Sequence, residues 1–421
     1  MFKTLTNAWK LPDIRKKILF TLLMLFVYRI GAFVPVPGTN AAYVAAQVAD
    51  KQILGFLNLL SGGALGNLTI FALGIVPYVN ASIIMQLLTV AVPSLERLAK
   101  EGEEGRKRIA SITRYLGVIL GLVQACGIIF GLGPQAVQDA SWFNYVTIIA
   151  CLTSGTALIM WIGERITDKG IGNGISLIIF ISIIARFPTL VSSMFSNVGS
   201  GTTNFWVIVL AGIAAIGIVV GITFVDLGER RIPVQYAKRV VGRKVYGGQS
   251  THIPMKVNQS GVMPLIFAIT IMQFPAMIVQ FFQTSNSALY IGYEQTFGSG
   301  TVLYGVIYAF LIFFFTYFYS QIAFNPIEVS KNIQQNGGFI PGIRPGKTTS
   351  DYLHKILSRI TFFGAVFLAA LAAVPTFFTS FTGINGVFGA TSLLIMVSVA
   401  LETTRQLEAQ LMMRHYKGFL G

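Results

Sequence analysis

Long apolar runs, separated by polar or charged connections, recur along the whole 421-residue chain. Ten of these runs approach the ~20 residues that an α-helix needs to cross a bilayer. Charged residues seldom interrupt them, so the pattern predicts an all-α polytopic membrane protein with ten transmembrane helices. The predicted spans lie at residues 18–33, 72–92, 112–130, 145–162, 175–195, 205–225, 262–282, 302–323, 360–378 and 387–401.

The composition agrees with this prediction. The hydrophobic residues make up 54% of the chain and the charged residues only 11%, whereas soluble proteins carry roughly 25% charged residues. The mean hydropathy of +0.68 points the same way. These values exclude a soluble enzyme, a disordered chain and a collagen.

The basic residues predict the orientation of the spans. All but Arg29, Lys51 and Arg186 of the 31 Lys and Arg residues lie before span 1, after an even-numbered span or in the C-terminal tail. Because Lys and Arg collect on the cytoplasmic side, we expect both termini in the cytoplasm. The formal net charge of +15 is thus mostly a topology signal, not a nucleic-acid patch.

Ten spans divide into five and five, and an odd number in each half makes equivalent helices run in opposite directions. The count therefore predicts an inverted repeat. We expect an N-terminal half with spans 1 to 4 at residues 1–173 and span 5 with a hinge connection at 174–204. The C-terminal half at 205–421 would carry large cytoplasmic loops at 226–260 and 324–359.

The connection after span 1 contains an apolar stretch that is too short to cross the membrane. Residues 53–68 read ILGFLNLLSGGALGNL, and glycines interrupt the second part of the stretch. Such stretches are candidates for re-entrant or interfacial helices. Two interpretations stay open: a movable stopper hinged on the glycines, and an ordinary amphipathic surface helix.

Proline occurs near the starts of spans 2 and 7, at Pro77 and Pro264, and span 7 contains a second proline at Pro275. Proline inside a membrane helix kinks it and frees a backbone carbonyl. We therefore expect kinks in two helices that are equivalent in the proposed repeat, which favours a paired functional role for them.

Away from their ends the spans contain almost no ionisable side chains. Ion-coupled transporters need such groups near the midplane, so a secondary transporter is the weaker alternative. Cys126 and Cys151 show no metal or disulfide spacing, and no nucleophile set supports an intramembrane enzyme. We expect no metal, no cofactor and no catalytic residue. A neutral path must seal by packing and dewetting.

Several motifs resemble the SecY family, the channel subunits of the Sec protein-conducting translocon. The strings are FLNLLSGGALGNLTIFALGIVPYVNASIIMQLL at 56–88, ERITDKGIGNGISLIIF at 164–180, RRIPVQYAKRVVGRKVYGGQSTHIPMKVNQSGVMPLIFA at 230–268, GGFIPGIRPGKTT at 337–349 and TSLLI at 391–395. They follow one another in the order of the family and extend over most of the chain.

The resemblance implies two five-helix halves hinged on the outer side, with a lateral opening to lipid. It implies an apolar pore ring formed by Ile75, Val79, Ile179, Ile266 and Ile395. It implies a plug segment at 53–65, with Phe56, Leu57, Leu60, Ser61, Gly62 and Gly63. It implies a lateral gate between spans 2 and 7, with Asn80, Ile83, Gln86 and Phe274. We expect Ile83 and Phe274 to face each other across this gate.

The resemblance also implies partners. Secretory and membrane-protein substrates would pass through the channel or leave it sideways into the lipid bilayer, and the small membrane subunits SecE and SecG would flank it. The motor ATPase SecA or the ribosome would dock on the two large cytoplasmic loops, at Arg239, Arg243, Lys244 and Arg344. For Arg243 and Lys244, a plain positive-inside flank is the open alternative.

Overall fold

The computed structural model describes residues 6, 8–50, 52–139, 141–199, 205–236, 239–241, 244–246, 250–259, 261–280, 292, 301–382 and 390–417. Each of the ten predicted spans coincides with a helix in these ranges. Spans 1 to 10 are the helices Pro12–Gly31, Val76–Ala91, Glu103–Leu132, Trp142–Lys169, Gly174–Gly199, Phe205–Leu227, Met263–Gln280, Val302–Ala323, Lys347–Thr382 and Ala390–Lys417.

By length and composition, five helices in the described ranges can cross a membrane. They are Glu103–Leu132, Trp142–Lys169, Ile208–Leu227, Leu303–Gln335 and Lys347–Ala373. A sixth candidate is span 2 taken together with the helix Pro93–Lys100, which is bent by 100° from it. The apolar stretches Gly174–Thr189 and Met263–Met272 are shorter.

The prediction of helix kinks at Pro77 and Pro264 is wrong. Residues 61–75 fold mainly as turns, so span 2 begins at Val76 and Pro77 lies in its first turn. Pro264 is likewise the second residue of span 7. Proline is well accommodated there because the backbone N–H that it lacks would have no partner within the helix. Of these three prolines, Pro275 alone lies in the interior of its helix, span 7.

The chain forms two compact units. Unit 1 comprises residues 1–203, 270–301 and 399–421, and unit 2 comprises residues 204–269 and 302–398. The division into halves that the sequence suggests, with boundaries at residues 173 and 204, stays a prediction.

The core of unit 1 joins spans 2, 3 and 4 to two short helices, Ala41–Asp50 and Gln52–Leu60. Span 4 approaches the chain before span 2 so closely that a Cβ on Gly155 would lie 1.8 Å from the Ile70 carbonyl oxygen. Only glycine fits at this position. A second apolar cluster connects Ile14 in the first turn of span 1, Ile171 between spans 4 and 5, and Leu407 on span 10.

Unit 2 contains a small antiparallel sheet that the sequence analysis did not predict. Its strands are β1 (Glu229–Tyr236), β4 (Ser250–Lys256) and β5 (Gly338–Phe339), in the order β4–β1–β5. Glu229 pairs with Lys256, and Gln235 pairs with both Ser250 and Phe339. Two further strands, β2 (Arg239–Val241) and β3 (Lys244–Tyr246), pair with each other.

The sheet has an entirely apolar core, which it shares with the helix Pro326–Gln335 and the first turns of span 9. The buried side chains of this core are Ile232, Val234, Met255, Ile333, Ile340, Leu353, Ile356 and Leu357. The strands β1, β4 and β5, the helix Pro326–Gln335 and the start of span 9 therefore share one core. We call these elements, with the turn that follows β5, the loop sheet.

Candidate functional site: plug, gate and docking loops

The plug segment consists of most of the helix Gln52–Leu60 and the turn that follows it. Leu57, Ser61 and Gly62 are buried, and Leu60 and Gly63 are half-buried. The Phe56 side chain lies outside the described residues. The turn depends on its two glycines, because Gly62 has a φ of 68° and Gly63 a φ of 94°, a region that strains other residues.

Buried hydrogen bonds hold the plug segment together. The Ser61 hydroxyl donates to the Asn58 carbonyl at 3.1 Å and accepts from the Leu65 N–H at 3.2 Å. The Asn58 side-chain oxygen accepts from the Gly66 N–H at 2.9 Å. These bonds satisfy backbone groups that the end of a short helix would otherwise leave unpaired. The segment therefore keeps its shape through its own contacts.

The five predicted pore residues are all apolar and at least partly buried. Ile75, Ile179 and Ile395 are buried, and Val79 and Ile266 are half-buried. The Val79 N–H donates to the Ile75 carbonyl at 3.1 Å, so these two residues lie one helical turn apart on the same face. Ile75, Val79 and Ile179 belong to unit 1, and Ile266 and Ile395 to unit 2; the closed ring stays a prediction.

A buried hydrogen bond joins spans 2 and 7 within unit 1. The Thr270 hydroxyl donates to the Asn80 side-chain oxygen at 3.1 Å, and both residues are 5% exposed. At the predicted gate, two buried neutral side chains are thus hydrogen-bonded to each other. Thr270 is missing from the residues that the sequence analysis names, although a polar residue inside an apolar span, one turn before Phe274, is a usable signal.

This contact lies about one helical turn from each of the two residues that the sequence analysis places across the gate, Ile83 on span 2 and Phe274 on span 7. The expectation that Ile83 and Phe274 face each other stays a prediction.

Gln86 lies further along span 2 and is half-buried. Its side-chain oxygen is buried and has no hydrogen-bond partner in the part of the chain that the structure describes. Ile83 is buried on the same helix, while the Phe274 side chain lies outside the described residues. Among the described positions, the predicted gate thus combines apolar side chains with neutral polar ones.

The turn after β5 presents Arg344 to solvent. Two hydrogen bonds hold this turn: the Thr349 hydroxyl donates to the Arg344 carbonyl at 2.8 Å, and the Ser330 hydroxyl donates to the Gly346 carbonyl at 2.8 Å. Because Thr349 and Ser330 are buried, the exposed guanidinium is attached to a fixed backbone.

Of the other predicted docking residues, Arg239 and Lys244 lie on the paired strands β2 and β3. Their side chains, and the whole of Arg243, lie outside the described residues. In the ranges that the structure describes, no group of three or more His, Cys, Asp or Glu side chains could hold a metal ion.

A family model described as SecY matches residues 69–404. The chain belongs to the SecY family. It is 47% identical, over the full length of both chains, to the protein translocase subunit SecY of Halalkalibacterium halodurans. Identity to the subunit of Streptomyces galbus is 46%, again over both full lengths. It is 43% to the subunit of Thermotoga maritima, over 100% of this chain and 98% of that one.

Solved channel structures share the fold. A structure described as a protein conducting channel superposes with a TM-score of 0.65 at 19% identity, over 93% of this chain and 91% of that one. A second structure is described as one in which the plug domain of SecY stabilises the closed state of the translocation channel and maintains a membrane seal. Its TM-score is 0.64 at 18% identity, over the same shares of the two chains. The fold is that of the ten-helix SecY and Sec61 channels.

Proposed function

We propose that this chain is the channel-forming subunit of a protein translocase in the plasma membrane of a bacterium. The observation that carries the proposal is full-length identity of 43–47% to bacterial proteins named protein translocase subunit SecY. The one-sided distribution of the basic residues supports an orientation with both termini in the cytoplasm. Unfolded secretory polypeptides are the substrates.

The transport path needs no ion-binding group. Ile75, Val79, Ile179, Ile266 and Ile395 form the narrowest part of the pore, where apolar side chains hold no stable water column. The plug segment closes the path at rest. Support comes from the burial of Ile75, Ile179 and Ile395 and from the internal hydrogen bonds of the plug segment. A chain in transit would replace the plug and pack against the ring.

Hydrophobic segments of a substrate leave sideways between spans 2 and 7. The Asn80–Thr270 hydrogen bond closes this gate at rest, and both side chains would find other partners, including water, when the helices part. A neutral hydrogen bond contributes only about 1 kcal/mol to the closed state. The gate can therefore open for a sufficiently apolar segment without a chemical energy source of its own.

The chain acts as a passive pore, and a partner supplies the energy. One structural neighbour is described as Sec61 in the canine ribosome–channel complex, and another as the idle yeast Ssh1 complex bound to the yeast 80S ribosome. We propose that the loop sheet, with Arg344 at its tip and Arg239, Arg243 and Lys244 nearby in sequence, binds a ribosome or the motor SecA. The small subunits SecE and SecG complete the complex in the membrane.

The test is reconstitution of the complex, co-expressed with its own SecE and SecG, into liposomes with SecA, ATP and a secretory precursor. The proposal predicts precursor that is protected from external protease only when ATP is present and the precursor carries its signal sequence. A matched reaction uses the Arg344→Glu variant, with Lys347→Glu as its control. Absence of protected precursor with an intact complex and an active motor would contradict the proposal.

A further inference from the structure

Two arginines of unit 1 lie against the turn of the plug segment. Arg29, near the end of span 1, donates from Nη1 to the Gly62 carbonyl at 3.0 Å. Arg186, on span 5, approaches the neighbouring residue, where a Cβ on Gly63 would lie 3.4 Å from its Cδ. Both arginines are exceptions to the one-sided distribution of charge in the sequence.

The turn lies between spans that are themselves joined. The Tyr28 and Ser182 hydroxyls are hydrogen-bonded at 2.7 Å, and both residues are fully buried. A Cβ on Gly62 would lie 3.1 Å from the Ser182 Cα and 3.1 Å from Arg29 Nη1. Spans 1 and 5 are thus joined beside the turn, and a side chain at position 62 would crowd both of them and be strained at the φ of 68°.

Arg29 itself is held in place. Its guanidinium lies over the Phe33 ring at 4.8 Å from the centroid, a cation–π arrangement that restricts the side chain. Among the described residues, its bond to Gly62 is the side-chain hydrogen bond that links the plug segment to a membrane span. The other side-chain bonds of the segment stay within residues 58–69.

We propose that Arg29 is a positioning residue that keeps the plug segment seated, and that it thereby sets how strong a signal sequence must be to open the channel. This inference rests on the proposed function, because it assumes that the plug segment leaves the path during transport. The bond is made to a backbone carbonyl, so it depends on the position of the turn and not on the plug side chains.

Three variants separate the hydrogen bond from the charge. Arg29→Met removes the donors and keeps an aliphatic chain, whereas Arg29→Lys keeps the charge and N–H donors. Arg186→Met is the matched control, since Arg186 touches the same turn but makes no side-chain hydrogen bond to a described residue. Arg29→Gln, with an amide that is too short to reach Gly62, replaces Arg29→Met if that variant fails to insert.

The first readout does not require transport. In a background with Cys126 and Cys151 replaced by Ala, Leu60→Cys is labelled with a membrane-impermeant maleimide on resting channels. We expect labelling about tenfold faster in Arg29→Met, the factor that the loss of a hydrogen bond to a charged group produces. Arg29→Lys should restore slow labelling, and Arg186→Met should stay close to the parent protein.

The second readout is transport of one precursor with an intact signal sequence and one with a weakened one. We expect Arg29→Met to pass the weakened precursor while Arg29→Lys and Arg186→Met reject it. Unchanged labelling and unchanged rejection in Arg29→Met would overturn the inference, and so would an equal effect of Arg186→Met. If the parent protein fails even with the intact precursor, the proposed function falls, while the labelling comparison still decides the position of the plug segment.

Discussion

The plug segment and the loop sheet are both insertions between spans and both bury apolar side chains, but the plug segment is also tied to a membrane span by a side-chain hydrogen bond. The loop sheet has a core of eight apolar side chains and strands that are paired along their length. The plug segment buries Asn58 and Ser61 among its apolar residues, and its turn hydrogen-bonds to Arg29 of span 1. The predicted gate between spans 2 and 7 likewise buries the hydrogen-bonded pair Asn80 and Thr270.

This difference teaches which parts of the molecule can move. An apolar core loses its packing when its parts separate, so the loop sheet is suited to a rigid platform for a partner. A buried hydrogen bond can be exchanged for one to water or to a passing chain at little net cost. The plug segment and the predicted gate are each tied to a neighbouring span by hydrogen bonds of this kind, and we propose that these are the two parts that open.

The largest expected effect comes from a charge placed in the apolar core of the loop sheet, which tests whether that core holds the docking surface in position. Leu353→Asp leaves an unpaired carboxylate in an apolar core, which costs about 3–5 kcal/mol. We expect loss of motor binding and a large fall in the thermal stability of unit 2. The control is His354→Asp, at the exposed neighbouring position. Normal motor binding by Leu353→Asp would show that the core does not position the docking surface.

Charge reversal at the tip of the loop sheet tests the surface without disturbing the core. Arg344 is exposed, so Arg344→Glu should leave abundance unchanged, while repulsion at an interface can cost several kcal/mol. We expect a loss of motor-driven transport of more than tenfold, measured beside membrane insertion. Lys347→Glu, three residues away and also exposed, is the matched control. Full transport by Arg344→Glu would refute the docking assignment.

A polar residue in the pore ring tests the apolar seal. Ile179→Asn should wet the constriction and weaken the closed state by about 1–3 kcal/mol, the value of one buried aliphatic side chain. The measurement is the conductance of resting channels in planar bilayers, which we expect to rise, and to rise further with Ile395→Asn added. Leak that is unchanged in the double variant would locate the barrier in the plug segment alone.

The smallest expected effect comes from the gate. Thr270→Val removes the donor to Asn80 and keeps a side chain of similar shape, so the closed gate should lose about 1 kcal/mol. We expect membrane release of segments that are slightly less hydrophobic than the parent protein accepts. A glycosylation-mapping series of test segments measures this threshold. A threshold that does not move would mean that the hydrogen bond does not hold the gate.

The spans could be predicted because each is a continuous apolar run, and such a run needs no information from other parts of the chain. The loop sheet was missed although β1 alternates buried Ile232 and Val234 with exposed neighbours. That alternation covers few residues, and the partner strand β5 lies about one hundred positions away in sequence. The sequence places Pro77 inside span 2 because it does not show that the residues before Val76 fold as turns, which is what moves the start of the helix to Val76.

The contacts that join separate spans could not be predicted from the sequence. The motifs indicated Asn80 as a gate residue, but they did not show that Thr270 is its partner. The isolated charges of Arg29 and Arg186 stood out, yet only the packing of spans 1 and 5 brings them to the glycine turn. Pairings of this kind depend on helix rotation and register, which hydropathy does not encode.

The central claim is that spans 2 and 7 separate during transport, and a cross-link tests it directly. Cysteines at Asn80 and Thr270, in a background without Cys126 and Cys151, are joined by oxidation or by a short bifunctional reagent. A second pair at Ser320 and Thr361, whose hydroxyls are 2.7 Å apart between spans 8 and 9 of unit 2, is the control. We predict that the first cross-link stops transport until it is reduced and that the second has no effect. Transport at the normal rate through the channel cross-linked at Asn80 and Thr270 would contradict the account.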